Sequence, residues 1–176
     1  MLRITPRYLT LALSASLAAC AAPQDFSFDF VEASIADIQS AIVQGDFTCH
    51  EIVAGYIERI EVYDKSRNIN AITQINSKAL EKAYAVDAAV RRNEVMPELF
   101  CAPVLIKDNF DTHDMVTTGG SIALLDSFPP DDAFMVRKLR EAGAIVLAKT
   151  NMAEWAFSPR ETVSSSYGRT ANAYDA

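Results

Sequence analysis

The segment that most constrains the fold is 102–109, which reads Ala-Pro-Val-Leu-Ile-Lys-Asp-Asn. Three branched apolar residues after a proline are typical of a short buried strand, and this strand ends on Lys107. In open α/β sheets, ligand-binding and catalytic groups gather at the carboxyl ends of strands. A lysine half-buried there has its charged form disfavoured by desolvation, so it can act as a base. Taken alone, the segment favours the ordinary alternative, a strand that simply ends in a solvated lysine, and only its context favours a catalytic role.

A second buried strand is predicted at residues 144–148, ending on Lys149. Between the two strands, Asp131 or Asp132 is expected to cap a helix that runs through Glu141, and Gly143 is expected to end it. The apolar residues assigned to this helix are Phe134, Met135 and Leu139. A strand, a helix and a strand in this order predict a right-handed parallel crossover. Asn151 is expected to cap a short helix through Phe157, with Trp155 as its largest apolar group.

The residues before this unit predict a helical front end. Ser34 is a candidate N-cap for a helix that Gly45 ends, with Ile35, Ile38 and Ile42 on one face. Thr48 and Glu51 form a capping-box pattern that opens a second helix. Residues 70–75 partly alternate and predict a strand, and Asn76 or Ser77 is expected to open a third helix, which Pro97 closes. Leu80, Ala83, Tyr84 and Val90 are assigned to its buried face. The predicted fold class is therefore α/β with a helical N-terminal segment.

Composition and charge limit the classes of partner that the chain can bind. Half of the 176 residues are hydrophobic, enough for one ordinary domain core, and the formal net charge is −7. Beyond the first few residues there is no basic cluster, which argues against a nucleic-acid partner. The sequence predicts no metal site, because His50 beside Cys49 has no second ligand pair nearby and His113 is isolated. No cofactor is predicted either.

Residues 1–22 are predicted to be a signal peptide. Arg3 and Arg7 precede an uncharged apolar run from Leu9 to Ala19, and small residues follow. The alternative is a buried N-terminal helix. Leu-Ala-Ala-Cys at 17–20 also resembles a bacterial lipobox, which would lipidate Cys20 and attach the protein to a membrane; cleavage after Ala22 would instead give a simple secreted or periplasmic protein. Residues 23–176 then form the mature domain.

Several motifs follow the first strand in a fixed order. They are Thr-Thr-Gly-Gly-Ser at 117–121, Asp-Asp-Ala-Phe at 131–134, Ala-Gly-Ala-Ile-Val-Leu-Ala-Lys-Thr-Asn-Met-Ala-Glu at 142–154, and Ser-Tyr-Gly-Arg-Thr-Ala-Asn-Ala-Tyr-Asp at 166–175. In this order and at these spacings, residues 30–176 resemble the amidase signature family of serine hydrolases. Ala173 departs from the pattern, since the family usually has proline there. The resemblance implies the start of a mixed α/β/α sheet.

The resemblance also implies a catalytic mechanism. The family uses a lysine, a serine held by a cis peptide bond and a nucleophilic serine, and Lys107 matches the lysine. The Gly-Gly-Ser-Ser-Gly-Gly motif that carries the cis serine is absent from this sequence. The expectation is an N-terminal portion of an exported amidase, inactive alone, that acts on a small-molecule amide once completed. The alternative is a non-catalytic exported remnant with a binding or association role; an in-frame continuation of the coding DNA would favour the enzyme.

Other polar residues have less specific interpretations. Residues 117–121 are either a substrate-side loop, since glycines allow close backbone approach, or an ordinary turn with positive φ. Residues 164–166 are three serines outside any nucleophile-elbow pattern, which favours a loop. Asp108 and Asn109 are expected to fix the loop beside Lys107 through side-chain to backbone bonds. Lys149 is expected to line the site or to bond the loop that bears Asn151.

The cysteines of the domain are Cys49 and Cys101. Export would permit a disulfide between them, but the expectation is that both are small, buried and unpaired. Cys101 stands where the resembling family usually has glycine.

Overall fold

The computed structural model describes residues 27–158 and 160–174. The predicted signal peptide and Cys20 lie outside this range. The described elements are the helices α1 (Ile35–Gln44), α2 (Cys49–Ile60), α3 (Ala79–Arg91) and α4 (Phe134–Glu141), and the strands β1 (Ile72–Ile75), β2 (Pro103–Lys107), β3 (Ile145–Thr150), β4 (Thr162–Ser164) and β5 (Gly168–Thr170). A π-helical turn, Glu61–Lys65, extends α2, and Ile122–Leu124 and Glu154–Ala156 form short 3₁₀ turns.

The first two helices begin where local capping predicts. The Ser34 hydroxyl accepts a hydrogen bond from the backbone N–H of Asp37, and Gly45 ends α1 with φ 79°. Thr48 and Glu51 form the predicted capping box at the start of α2. These short-range signals are sufficient because both partners of each bond lie within four residues of each other.

The third and fourth helices begin differently from the prediction. Helix α3 starts after Lys78, without a side-chain cap, and Tyr84 is exposed. Helix α4 starts after Ala133, so neither Asp131 nor Asp132 caps it. Its buried residue is Val136, whereas Phe134 and Met135 face solvent. The predicted aspartate caps rest on local propensity alone, while the side chain of Asp132 is used in ion pairs with residues elsewhere.

Three strands form the central sheet in the order β1-β3-β2. Strands β2 and β3 are parallel, with Ile106 beside Lys149 and Lys107 beside Thr150, and α4 lies between them in sequence. This confirms the predicted parallel connection. Strand β1 pairs antiparallel with β3, so β3 is buried in the middle while β2 lies at an edge of the described sheet. Strands β4 and β5 form a separate hairpin.

Apolar side chains pack on both sides of this sheet. On one side, residues of α1, α2 and α3 pack with Ile145 and Leu147 of β3. On the other, Val136 of α4 packs with Ile106, Val146 and Met115. Successive residues of a strand face opposite sides, which is why β3 is apolar along most of its length and contributes to both clusters. The result is an α/β fold with helices on each face.

The two cysteines are joined, which corrects the expectation that they are unpaired. A disulfide connects Cys49, the first residue of α2, to Cys101, two residues before β2. The Cα atoms are 5.8 Å apart, and neither residue is accessible to solvent. A count of two cysteines could not establish this pair, because a separation of 52 residues places no restriction on their distance in space.

Candidate functional site

Lys107 lies at the carboxyl end of β2, where the sequence predicts it, but it is exposed and not half-buried. Ile106 is buried against α4, and alternation along the strand places Leu105 and Lys107 on the opposite face. That face is uncovered at β2, where Leu105 is 50% exposed. Among the described residues, the ammonium group of Lys107 has no hydrogen-bond or ion-pair partner, and only its backbone is hydrogen-bonded. The desolvation expected for this amine is therefore not supplied by the described residues.

An apolar groove of about 490 Å³ adjoins the uncovered face of β2. It runs between the first two helices and the sheet, and its wall includes Leu105 and Pro103 of β2 and Leu147 of β3. Tyr56 and Tyr63 border it on the helical side, together with Arg59 and Asp64. Because Leu105 precedes Lys107 by two residues on the same face, the groove leads along β2 toward the lysine.

Asp108, the residue after Lys107, is buried and fixes the loop that follows β2. Its carboxylate accepts hydrogen bonds from the backbone N–H of Thr118, at 3.2 Å, and from the Thr118 hydroxyl. Its backbone carbonyl accepts a bond from Gly119 N–H, at 3.0 Å. This confirms the bonding role expected for Asp108. Asn109 is exposed, and within the described residues its side chain makes no such bond.

Lys149 is the buried lysine of this region. Its side chain is completely inaccessible to solvent. In the register of the sheet it stands beside Ile106, which is also buried. The ammonium donates to the Phe110 carbonyl and to the Thr117 hydroxyl, both at 2.8 Å, and lies 3.5 Å from the Asp108 carboxylate. Burial lowers the pKa of Lys149, and the attraction of Asp108 opposes that shift. Lys149 thus bonds the loop at 108–118 and not the loop that bears Asn151.

The double-glycine segment is a packed turn. Gly119 and Gly120 have φ values of 59° and 79°, which fits the turn interpretation. A Cβ on Gly120 would lie 3.0 Å from the Cα of Glu154, so the segment also makes the close backbone approach that glycine allows. Trp155 N–H donates to the Gly119 carbonyl at 2.9 Å. The close backbone approach is therefore made to residues 152–155 of this chain.

The serines at 164–166 form a hydrogen-bonded connection to this turn. The Ser165 hydroxyl accepts a bond from Ile122 N–H at 3.0 Å, and the Ser166 hydroxyl lies 3.4 Å from that of Thr118. Ser164 donates to the Asn151 side-chain carbonyl. No lysine or histidine bonds them among the described residues, which agrees with a structural loop.

Asn151 does not cap a helix through Phe157. Its amide donates to the Gly168 carbonyl and the Thr170 hydroxyl, so it attaches the β4–β5 hairpin to the end of β3. Only the turn Glu154–Ala156 is helical there, and Trp155 has φ 54° and is 62% exposed. The hairpin partners follow Asn151 by 17 and 19 residues, beyond the reach of local sequence patterns.

His113, in the loop that follows β2, contributes to an ion-pair cluster with Asp132 and with Arg140 of α4. Its ring lies 2.9 Å from Asp132, and Arg140 bridges Asp132 and Asp114 at 3.1 and 2.7 Å. His113, Asp114 and Asp132 have ligand atoms close enough to share a metal ion. The guanidinium of Arg140 already pairs with both carboxylates, and its positive charge disfavours a metal cation there. The hydrogen bonds from His113 and the charge of Arg140 lower the pKa of Asp132, against the opposing effect of burial.

The chain matches a known family over most of its length. A family model described as Amidase matches residues 51–176. The chain belongs to the amidase signature family. Curated relatives include glutamyl-tRNA(Gln) amidotransferase subunits from Alkaliphilus metalliredigens, 42% identical over 145 residues, and from Moorella thermoacetica, 39% identical over 139 residues. These alignments cover 82% and 79% of this chain, but only 29% and 28% of the relatives.

Solved amidase structures show the same partial correspondence. The peptide amidase of Stenotrophomonas maltophilia is 35% identical with a TM-score of 0.75, over 81% of this chain and 30% of its own. An amidase family protein of Bacillus anthracis is 34% identical with a TM-score of 0.74, over 81% and 29%. The present chain thus spans somewhat less than a third of the relatives that it matches. Membership and fold follow from these likenesses, whereas activity does not.

Proposed function

We propose that this chain is the N-terminal portion of an amide-bond hydrolase in which Lys107 is the base of a serine–cis-serine–lysine triad. The supporting observation is the placement of Lys107: it ends an apolar strand, projects from the uncovered face of β2, and precedes a loop fixed by Asp108 and Lys149. A general base must be held in one place relative to the proton that it accepts, and the hydrogen bonds of the loop after Lys107 fix the backbone beside it. The substrate class is a small-molecule amide.

The two serines of the triad are to be supplied by sequence that this chain does not contain. A segment that pairs with β2 or covers Leu105 and Lys107 would remove water from the lysine and favour its neutral form. The chain by itself is therefore expected to hydrolyse no amide. Turnover of a simple aryl or aliphatic amide by the purified chain, abolished by a serine-directed fluorophosphonate, would contradict this.

A chimera tests the role of Lys107 directly. Residues 27–176 replace the matching N-terminal part of the Stenotrophomonas peptide amidase, and hydrolysis of a peptide amide is measured. Lys107→Ala should lower kcat/KM by at least about a hundredfold, and Lys107→Arg nearly as much because guanidinium stays protonated. Lys82→Ala, at an exposed lysine of α3, is the matched control. If the arginine variant kept near-parental activity, Lys107 would act as a positive charge and not as a base.

We also propose that the protein is exported. The arrangement of Arg3, Arg7 and the apolar run 9–19 supports this, and the Cys49–Cys101 disulfide is of a kind that persists in oxidising compartments. Among the described residues, no helix is long and apolar enough to cross a membrane. In a bacterial host, Cys20→Ser should stop lipidation and release soluble or precursor protein. If the variant is processed and distributed like the parent, Cys20 is an ordinary signal-peptide residue.

A further inference from the structure

The disulfide connects the helical layer to the turn that leads into β2. Cys49 begins α2, and its backbone N–H is held by the buried carboxylate of Asp87 on α3, at 2.6 Å. Cys101 lies in the turn that leads into β2, the strand of Lys107. The side chain of Gln39 also bonds this turn, donating to the carbonyls of Glu98 and Phe100. The S–S bond is a covalent cross-link between the start of α2 and the turn before β2.

The backbone at Cys101 is unfavourable for cysteine. Its φ is 58°, in the left-handed region that disfavours any residue with a Cβ. Such a conformation persists only where its surroundings impose it. The next residue, Ala102, makes two backbone hydrogen bonds. Its N–H donates to the Leu99 carbonyl, and its own carbonyl accepts from the Ile145 N–H at 2.8 Å. The latter bond joins the start of β2 to the start of β3.

We propose that the Cys49–Cys101 disulfide is a redox-dependent clamp that holds the Cys101 turn in its left-handed conformation and thereby fixes the start of the Lys107 strand. During folding, thiol–disulfide exchange with a small disulfide oxidant closes the clamp: the Cys49–Cys101 bond forms while the oxidant is reduced to its thiols, which take up the two protons. In the reduced chain, the turn is released to relax toward negative φ, which loosens the bond between Ala102 and Ile145 first. The clamp acts on the stability of the chain and is independent of amide hydrolysis.

Reduction of the clamp is a thiol–disulfide exchange with a dithiol. One reductant thiolate attacks a cysteine sulfur, breaks the S–S bond and forms a mixed disulfide; the second thiolate displaces the remaining cysteine. The products are two cysteine thiols and one reductant disulfide, with two protons passing from the reductant to the cysteines. Because neither cysteine is accessible, the attack requires local opening. The folded chain should therefore resist dithiothreitol far longer than the chain in denaturant.

The test uses the full chain with Cys20→Ser in every variant, so that only the two domain cysteines remain. After refolding in a glutathione redox buffer, peptide mapping should find Cys49 joined to Cys101. Guanidinium unfolding then compares Cys49→Ala/Cys101→Ala with Cys49→Ala/Cys101→Gly. Both pairs lack the clamp, but glycine accepts positive φ, so the glycine pair should have an unfolding equilibrium constant about five- to thirtyfold smaller than the alanine pair.

Hydrogen exchange locates the effect, including in the parent chain if a variant fails to fold. Reduction in denaturant followed by refolding in reductant should speed exchange at the amides of Ala102 and Ile145 at least about tenfold more than at Asn76, whose N–H bonds Leu147 within the β1–β3 region. Free thiols after oxidative refolding would overturn the proposal. So would equal stability of the glycine and alanine pairs, or equal acceleration at all three amides.

Discussion

Two lysines in adjacent strands have opposite surroundings, and the difference is set by the face of the sheet that each side chain occupies. Lys107 is exposed on the uncovered face of β2, whereas Lys149 is completely buried on the side of Ile106. The sequence predicts that Lys107 is half-buried, and it makes no prediction about the burial of Lys149. Alternation along a strand determines which residues share a face, but not which face the rest of the protein covers.

Replacing Lys149 by methionine should change how stability depends on pH. Burial lowers the pKa of Lys149 in the folded state, so the unfolded chain binds more protons between that pKa and the ordinary value near 10.5. Over this pH window the free energy of unfolding of the parent rises as pH rises. Below the window Lys149 is protonated in both states, and the folded state bears the full cost of burying its charge. Lys149→Met lacks this rise with pH. Urea unfolding from pH 7 to 10 should show the parent's free energy of unfolding rising relative to the variant; parallel curves would contradict it.

The Gly120 position should be much less tolerant of alanine than the Gly168 position. Both have φ 79°, but a Cβ on Gly120 meets the backbone of Glu154 and Met152, whereas one on Gly168 meets nothing within 4 Å. Gly168→Ala should cost about 1 kcal/mol from backbone conformation alone, and Gly120→Ala about 3 kcal/mol, since overpacking adds to it. Chemical denaturation measures both. Equal losses would mean that residues 152–155 move aside without cost.

At the scale of elements, the buried carboxylate of Asp87 connects two helices. It lies on α3 and accepts hydrogen bonds from the N–H groups of Cys49 and His50, at 2.6 and 3.1 Å, so α3 caps the start of α2. These first-turn N–H groups have no partner within the helix itself. The negative charge also interacts favourably with the positive end of the helix dipole. The helix therefore has a tertiary cap besides its local capping box.

Removal of the two caps of α2 should have unequal effects. Asp87→Ala leaves two donors without a partner in a buried region and should cost about 2–3 kcal/mol of unfolding free energy. Glu51→Ala removes an exposed half of the capping box and should cost about 0.5–1 kcal/mol. The helical signal in circular dichroism during urea unfolding reports both losses. A larger loss for Glu51→Ala would show that the local cap dominates.

The elements that could be predicted from sequence are those determined by short-range signals. The caps at Ser34 and Thr48, the stop at Gly45 and the apolar runs of β2 and β3 are all local patterns, and each forms the predicted element. The predicted burial is correct for β3 but wrong for β2, where only Ile106 is buried. The predicted helix caps at Asp132 and Asn151 are wrong because each residue meets a partner 17 or more residues away. A capping residue and a residue that makes a tertiary bond look alike in sequence, since both are short polar side chains.

At the scale of the whole molecule, the uncovered face of β2 predicts self-association. The strand is hydrogen-bonded on one side only within the described sheet, and Leu105 beside the apolar groove is half exposed. Open strand edges and contiguous apolar surface promote association between chains. Leu105→Lys should lower the apparent mass at high concentration without loss of stability, because the residue is already in contact with water.

Sedimentation velocity over a range of concentrations measures this association. Val95→Lys is the control, since Val95 is 99% exposed but lies between α3 and β2 rather than on the sheet face. It should leave the concentration dependence unchanged. If both variants reduce association equally, added positive charge is responsible and not the β2 face.

The strand order has a consequence for synthesis on the ribosome. Strand β3 is the last of the three sheet strands in the sequence, yet it lies between the other two and is the only described strand that pairs with either. As the chain emerges, the helices and their local contacts can form early, but β1 and β2 have no common partner until residues 145–150 have left the exit tunnel. The sheet therefore cannot assemble until its central strand, β3, has emerged. A nascent chain that stalls before Ile145 would expose two unpaired strands, which chaperones would have to protect.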